Sequence, residues 1–388
     1  VFVGIRQAGK SYLLYQRIQQ LLREEHNINE IVYINFDDER LRQMTADDLD
    51  LILQAYHSLF DLRPLLFFDE IQNIEGWEHF ARRLANQKYN IYITGSNAKM
   101  LSREIATTLG GRFWNKDVYP YSFAEYLNAR NIILSKNWMY GKQAAEVSKA
   151  FNDYFLYGGF PELTDVIAKR VWLNDIYSKI FFSDLIVRNK VRNEEALGLL
   201  VRRLAENVKQ PISYTRLANL ISSIGIKISK ATVIEFIRYL KESCLIFPIE
   251  NYAAKFAERN SNMKHYFIDN GLLSIFLLDG NTSLLENIVA IHLYKRYGAQ
   301  LYFYNQNIEV DFIIPEAKTA IQVSYSLMDE TTCRREVEGL IKLNRVFPMD
   351  NMCIITRDEE RIITHESGVS IHVIPVWKWL LEEEPLRT

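Results

Sequence analysis

Short apolar runs alternate with helical periodicity in the first third of the chain. VFV at the start, IVYINF (31–36), PLLFFDE (64–70) and NIYITGS (90–96) are nearly continuous β-rich runs, the pattern of strands buried on both faces. Between the first two, SYLLYQRIQQLLREE brings Leu14, Ile18, Leu21 and Leu22 to helical spacing. The alternation predicts an α/β fold with a parallel sheet, whose ligands sit at the carboxyl ends of the strands. From about residue 119 the pattern changes to helical segments rich in aromatics, with Gly158, Gly159 and Pro161 marking a turn. The run SDLIVRNKVRN (183–193) reads as a solvated face or a subunit contact. ISYTRLANLISS and SKATVIEFIRYLKESC are then two helices around a GIK turn, followed by LIFPIENY and KHYFID as two strands of a wing. The tail is a second α/β unit: helix SLLENIVAIHLYKRYG, strands LYFYNQN, EVDFIIPE and AIQVSYS, helix TCRREVEGLIKLNRVF, and further strands MCIITR and VSIHVIPV.

The turn between the first strand and first helix carries the chemistry. GIRQAGKS (4–11) fits GxxxxGK[ST], with Gly4, Gly9, Lys10 and Ser11 at the fixed positions. In such a P-loop, Gly4, Ile5, Arg6, Gln7, Ala8, Gly9, Lys10, Ser11 and Tyr12 are the expected nucleotide-binding residues. Glycines let backbone N–H groups turn in around phosphates, Lys10 reaches the β and γ oxygens, and the Ser11 hydroxyl ligates Mg²⁺. The helix that follows points its positive N-terminal end at the anion.

Other strand ends supply the partners this loop requires. PLLFFDE ends in Asp69 and Glu70: the first acid is expected to hold the Mg²⁺ shell with Ser11, the second to orient and deprotonate the attacking water. A solvated strand end is the plainer reading of both. After NIYITGS, Ser96 and Asn97 are candidates to touch the γ-phosphate or the water, although the same residues also make an ordinary turn.

Composition narrows the partners. With 388 residues, the chain is long enough for two or three domains, and 48% hydrophobic with 24% charged residues is a globular balance. A net charge of −2 exerts no global pull on nucleic acid, so a DNA contact would need a local patch. Cys244, Cys333 and Cys353 are widely spaced, which argues against a zinc site or disulfide framework and for a reducing compartment. No apolar run reaches the ~18 residues of a membrane span and no signal-peptide pattern is present, so the cytoplasm is the expected location. The chain begins without Met inside its first strand, and residues upstream are expected.

GIRQAGKS, LLFFDEIQ, YITGSN, LGGRF, YPYSFAEYL and YFLYGGFPE together make the chain resemble, over essentially its whole length, prokaryotic AAA+-like ATPases with a C-terminal restriction-endonuclease-like domain of unknown function. The resemblance implies an ATPase core of the additional-strand type, with Asp69 as metal-site acid, Glu70 as catalytic acid and Ser96 or Asn97 as polar sensor. It also draws attention to Arg112 in LGGR: related ATPases use an arginine from a neighbouring subunit or domain to neutralise the transition state. A surface pair with Asp117 or Glu104 is the duller role for Arg112. A finger acting in trans would require an oligomer.

The expected domains are a P-loop ATPase core (1–118), a helical lid or connector (119–205), a winged helix (206–270) and a restriction-endonuclease-like domain (271–388). In the winged helix, Ser229 can cap the second helix, leaving Lys230, Thr232, Arg238 and Lys241 for a phosphate backbone, but the basic patch is thin and many such modules bind protein. In the tail, Glu286 and Asp311 match two metal-binding acids of the endonuclease pattern. The next strand carries Gln322 and Ser324 where that pattern has an ExK pair. Gln322 could still offer a carbonyl oxygen to a metal; Ser324 cannot replace a lysine, so a lysine such as Lys318 or Lys342 would have to migrate into the site.

Three functions follow from these residues: an active ATPase using ATP and Mg²⁺ with a DNA or protein partner; a nucleotide-stabilised switch with little turnover; and, least favoured, a metal-dependent nuclease. Glu70 favours the first.

Overall fold

The computed structural model describes residues 1–96, 107–110, 113–255, 259 and 261–382. Asn97, Arg112 and Glu104 lie outside the described residues. Residues 1–119 with 241–244 form one compact unit, and the rest of the described chain forms a second.

In the first unit β1 (Phe2–Val3) leads through the glycine loop into α1 (Lys10–Arg23), followed by β2 (Ile31–Asn35), α2 (Asp50–Leu59), β3 (Leu65–Asp69), α3 (Trp77–Asn86), β4 (Ile91–Gly95) and β5 (Lys116–Asp117). The strands form one parallel sheet in the order β2-β3-β4-β1-β5. β4 is inserted between β1 and β3, so the loop after β1 and the acids ending β3 emerge at the same carboxyl edge.

Alternation along β3 explains the layering. Leu65 and Phe67 cluster with Leu14 and Leu21 of α1, while Leu66 and Phe68 cluster with Trp77, Phe80 and Leu84 of α3. Phe67 and Phe68 are both fully buried, each adding about 1.5–3 kcal/mol by leaving water. Two details depart from the sequence pattern. β2 is only half-buried because it is the sheet's edge strand, covered by a neighbour on one side. Leu22 stays exposed because it falls outside the stripe that Leu14 and Leu21 define on α1.

The second unit opens with α4 (Phe123–Ala129), started by a capping box in which Glu125 N–H donates to Ser122 Oγ and Ser122 N–H donates to Glu125 Oε2. Next come α5 (Lys142–Tyr157), α6 (Lys169–Lys179), a π-helical stretch over Ile180–Val187 that no local pattern signals, and α7 (Glu194–Glu206). Then follow β6 (Ile212–Ser213), α8 (Tyr214–Ser222), α9 (Lys230–Glu242), β7 (Ile246–Asn251) and β8 (Asn262–Phe267). After α10 (Asn270–Ser274) and α11 (Asn281–Tyr297) come β9 (Tyr302–Asn305), β10 (Glu309–Ile314) and β11 (Thr319–Val323). The chain continues through α12 (Glu330–Val346), β12 (Asn351–Thr356), β13 (Arg361–Thr364), β14 (Ser370–Pro375) and α13 (Val376–Glu382).

Among the described residues these strands form a mixed nine-stranded sheet, β13-β14-β12-β11-β10-β9-β7-β8-β6. β7 pairs antiparallel with β8 and parallel with β9, so the strands on either side of residue 271 share one sheet. The β10–β9 register shifts between Val310 and Ile313, an irregularity of the ladder that spans Asp311. The YGGFPE turn is anchored in the same unit. Gly159 N–H donates to Asp269 Oδ2 at 2.8 Å, and a Cβ on Gly158 would lie 2.0 Å from that carboxyl. Only glycine allows so close an approach, and burial pushes Asp269 up to about 6 despite its backbone donors. Among the described residues no helix is long and apolar enough to cross a membrane.

Candidate functional site

The glycine loop is shaped by backbone that other residues disfavour. A Cβ on Gly4 would lie 1.9 Å from the Val118 carbonyl oxygen. Gly9 has φ 94° and Gln7 φ 62°, left-handed values that turn the chain back on itself. Ile5 and Ala8 are buried beneath the loop, with Arg6 and Gln7 half-buried on it. α1 therefore starts from Gly9, which offers no side-chain cap, and its first turn contains no acid. Its leading N–H groups are left for an anion, which the helix dipole also favours.

Lys10 is nearly buried at the head of that helix. Its Nζ donates to the carbonyls of Gly4 at 3.2 Å and Ile5 at 3.0 Å, and stands 3.6 Å from Glu70 Oε1. Ser11 is half-buried and Tyr12 is 72% exposed beside it.

Asp69, 2% exposed at the end of β3, accepts from Tyr33 Oη at 2.8 Å on Oδ2 and from the Thr94 hydroxyl on Oδ1. Thr94 in turn accepts the Glu70 N–H at 3.0 Å. Glu70 turns out of the strand at φ 54°. Its Oε2 accepts from Ser96 Oγ at 2.9 Å and from Gln72 Nε2. Burial by itself would raise the Glu70 carboxyl, but Lys10, the Gln72 and Ser96 donors and Arg6 together hold it below its ordinary value.

Lys10, Asp69, Glu70 and Ser96 thus converge in one connected network. Tyr33 and Thr94 belong to it as well. Neither was a candidate from sequence: Tyr33 is one aromatic among many, and Thr94 was legible only as the first polar residue closing its strand. Burial pushes the Tyr33 hydroxyl up, keeping it a donor to Asp69. Ser11 and Asp69 offer oxygen ligands alone, a donor set that suits Mg²⁺.

In the second unit Glu286 of α11 and Asp311 of β10 also come together, through Lys264 Nζ at 3.1 Å from Glu286 Oε1 and 3.1 Å from Asp311 Oδ1. Both ends of the Gln322 amide are engaged within the fold. Its Oε1 accepts the Asp311 N–H at 2.8 Å, and its Nε2 donates to Glu336 at 2.7 Å. Ser324 Oγ donates to the Ser326 carbonyl. Lys318 and Lys342 pair with Asp350 and Glu338.

A parallel sheet with a phosphate-type loop at its carboxyl edge defines a P-loop nucleotide-binding unit. Residues 1–127 match the family described as an AAA domain, which implies nucleotide binding, typically with Mg²⁺; residues 148–283 match a domain of unknown function, DUF8612. The chain belongs to the family of the uncharacterized protein MJ1544 of Methanocaldococcus jannaschii, with which it shares 34% identity over 98% of this chain and 88% of that protein. An uncharacterized protein of Haemophilus influenzae is 30% identical over 98% of this chain and 94% of its own length. Among solved structures, the Walker-type ATPase PABY2304 of Pyrococcus abyssi aligns with a TM-score of 0.43 at 15% identity, covering 71% of this chain and 89% of that one.

Proposed function

We propose that the first unit binds ATP with Mg²⁺ and hydrolyses it. The observation that carries this reading is the Glu70 carboxylate, held between Lys10 and Ser96 at the edge where the uncapped α1 meets the end of β3. Lys10 and the loop N–H groups bind the phosphates, Lys10 exchanging the Gly4 and Ile5 carbonyls for phosphate oxygens. Asp69, with Ser11, holds the cation and is itself held by Tyr33 and Thr94. When bound, Mg²⁺ neutralises charge on the phosphate oxygens. Glu70 orients the attacking water and takes its proton; Ser96 aligns that carboxylate, and Asn97 and Arg112 remain the proposed sensor and charge-neutralising arginine.

Glu70→Gln is expected to preserve nucleotide binding and abolish phosphate release; unchanged turnover would remove Glu70 from the mechanism.

The second unit is read as the partner-binding part. The order β6, α8, α9, β7, β8, with β8 between β6 and β7, supports a winged helix, and Ser229 caps α9 by accepting the Thr232 N–H at 3.0 Å. The exposed face of α9 offers Lys230 and Arg238 to a phosphate backbone, with Glu235 4.0 Å from Arg238 offsetting part of that charge. The order α11, β9, β10, β11, α12, β12 supports a restriction-endonuclease-like tail that serves binding rather than cleavage, since Gln322 and Ser324 are both turned to protein partners. ATP turnover measured alone, with duplex DNA and with single strands, at two protein concentrations, tests the DNA partner and activation in trans together.

A further inference from the structure

Lys264 is the most deeply buried ammonium among the described residues, at 0% exposure on β8. Three carboxylates from two other elements converge on it: Glu286 and Asp311 at 3.1 Å each, and the half-exposed Glu309 at 3.8 Å. Convergence of hard oxygens from separate elements on one point is how a fold builds a cation site. Here a side chain of the same fold fills that point. The supporting contacts are complete: Tyr266 Oη donates to Glu286 Oε1 at 2.7 Å, and Val323 N–H donates to Asp311 Oδ2 at 3.0 Å. Lys264 Nζ also lies over the Phe303 ring at 5.5 Å, and protein covers the ammonium completely.

We propose that Lys264 Nζ is a tethered replacement for the divalent cation that the Glu286–Asp311 pair would otherwise gather, so that the tail is assembled without metal and removing this one ammonium opens a divalent-cation site. Two acids brought this close repel strongly in a low-dielectric interior and require a positive charge between them. The ammonium supplies it, and a divalent ion on the same oxygens would have to displace a fully buried side chain. Lys264 comes from β8, in the segment before the tail, and its ammonium sits between the two acids, where a cation would sit. This inference does not depend on ATP hydrolysis and survives its failure.

The test is a Mn²⁺ titration of the full chain without nucleotide, followed by electron paramagnetic resonance. Wild type and Asp311→Asn are expected to bind the same amount of Mn²⁺; a wild-type site that Asp311→Asn removes would overturn the proposal. Lys264→Ala is expected to gain one Mn²⁺ per chain that Lys264→Ala/Asp311→Asn lacks, with a Tm that rises on adding Mn²⁺. A folded Lys264→Ala that gains none would also overturn it. Should that variant not fold even with Mn²⁺, Lys264→Gln is read by the same criteria, and the wild-type comparison still decides. Plasmid cleavage by wild type in Mn²⁺, lost in Asp311→Asn, would make Lys264 a migrated catalytic lysine and refute the replacement.

Discussion

Each unit sets a lysine against a glutamate, and the two pairs differ in what else holds the lysine. Lys10 spends its donors on two loop carbonyls and stands 3.6 Å from a Glu70 side chain that is 19% exposed. Those are contacts a phosphate can take over. Lys264 is wrapped by acids and the Phe303 ring with no exposure, and nothing can take over its role without entering the core. The carboxyl groups respond in opposite directions. Glu70 is held below its ordinary value because neighbouring donors outweigh burial, whereas burial pushes Glu286 up to about 7 despite Lys264. One residue pairing therefore builds an exchangeable contact at a sheet edge and a permanent one in an interior.

The contrast is most exposed to Lys264→Ala. It should destabilise the protein by about 3–5 kcal/mol in urea unfolding, because it strands buried charges. A cost under about 1 kcal/mol would put this pair among ordinary surface bridges and erase the difference. Next in size, Glu70→Gln should cut phosphate release about 10²–10⁴-fold while leaving nucleotide affinity close to wild type and lowering the unfolding midpoint only slightly. If instead the variant melted markedly earlier with turnover intact, Glu70 would be the structural partner and the comparison would invert.

The pH dependence of stability separates the acids by sign. Glu70 titrates lower when folded, so its contribution is present above its ordinary value of 4.5 and is lost as pH falls through the lowered one. Glu286 titrates higher when folded, so its contribution declines as pH rises from 4.5 to about 7 and is level above that. Urea midpoints should fall less steeply between pH 4.5 and 7 in Glu286→Gln, where the decline from Asp269 up to about pH 6 remains, and should keep the wild-type slope there in Glu70→Gln. The smallest effect is expected from Tyr33→Phe, which removes one donor from Asp69. About a tenfold rise in the Mg²⁺ needed for half-maximal turnover, at unchanged saturating rate, matches the loss of one hydrogen bond to a charged group; an unchanged requirement would make Tyr33 incidental to the cation.

The glycine loop was legible because its eight residues are contiguous and the helix after it announces itself by periodicity. Asp69 and Glu70 were legible because they end an apolar run. Ser96 followed from the same logic on the adjacent strand. Tyr33 and Thr94 were not, since a hydroxyl beside a carboxylate leaves no spacing signal when the two sit on different strands. Lys264 was missed for a stronger reason: its partners lie 22 and 47 residues away, and the endonuclease pattern directs attention to β11.

Local order along the chain, then, determined the alternation of strands and helices, the loop that receives an anion and the acids placed after β3, all of which depend on neighbours within a turn or a strand. Tertiary structure alone decided that β2 would be an edge, that β7 and β9 would join one sheet, and that an ammonium from β8 would meet acids from α11 and β10. Such meetings depend on which surfaces bury each other, and burial is a property of the assembled layers rather than of any segment.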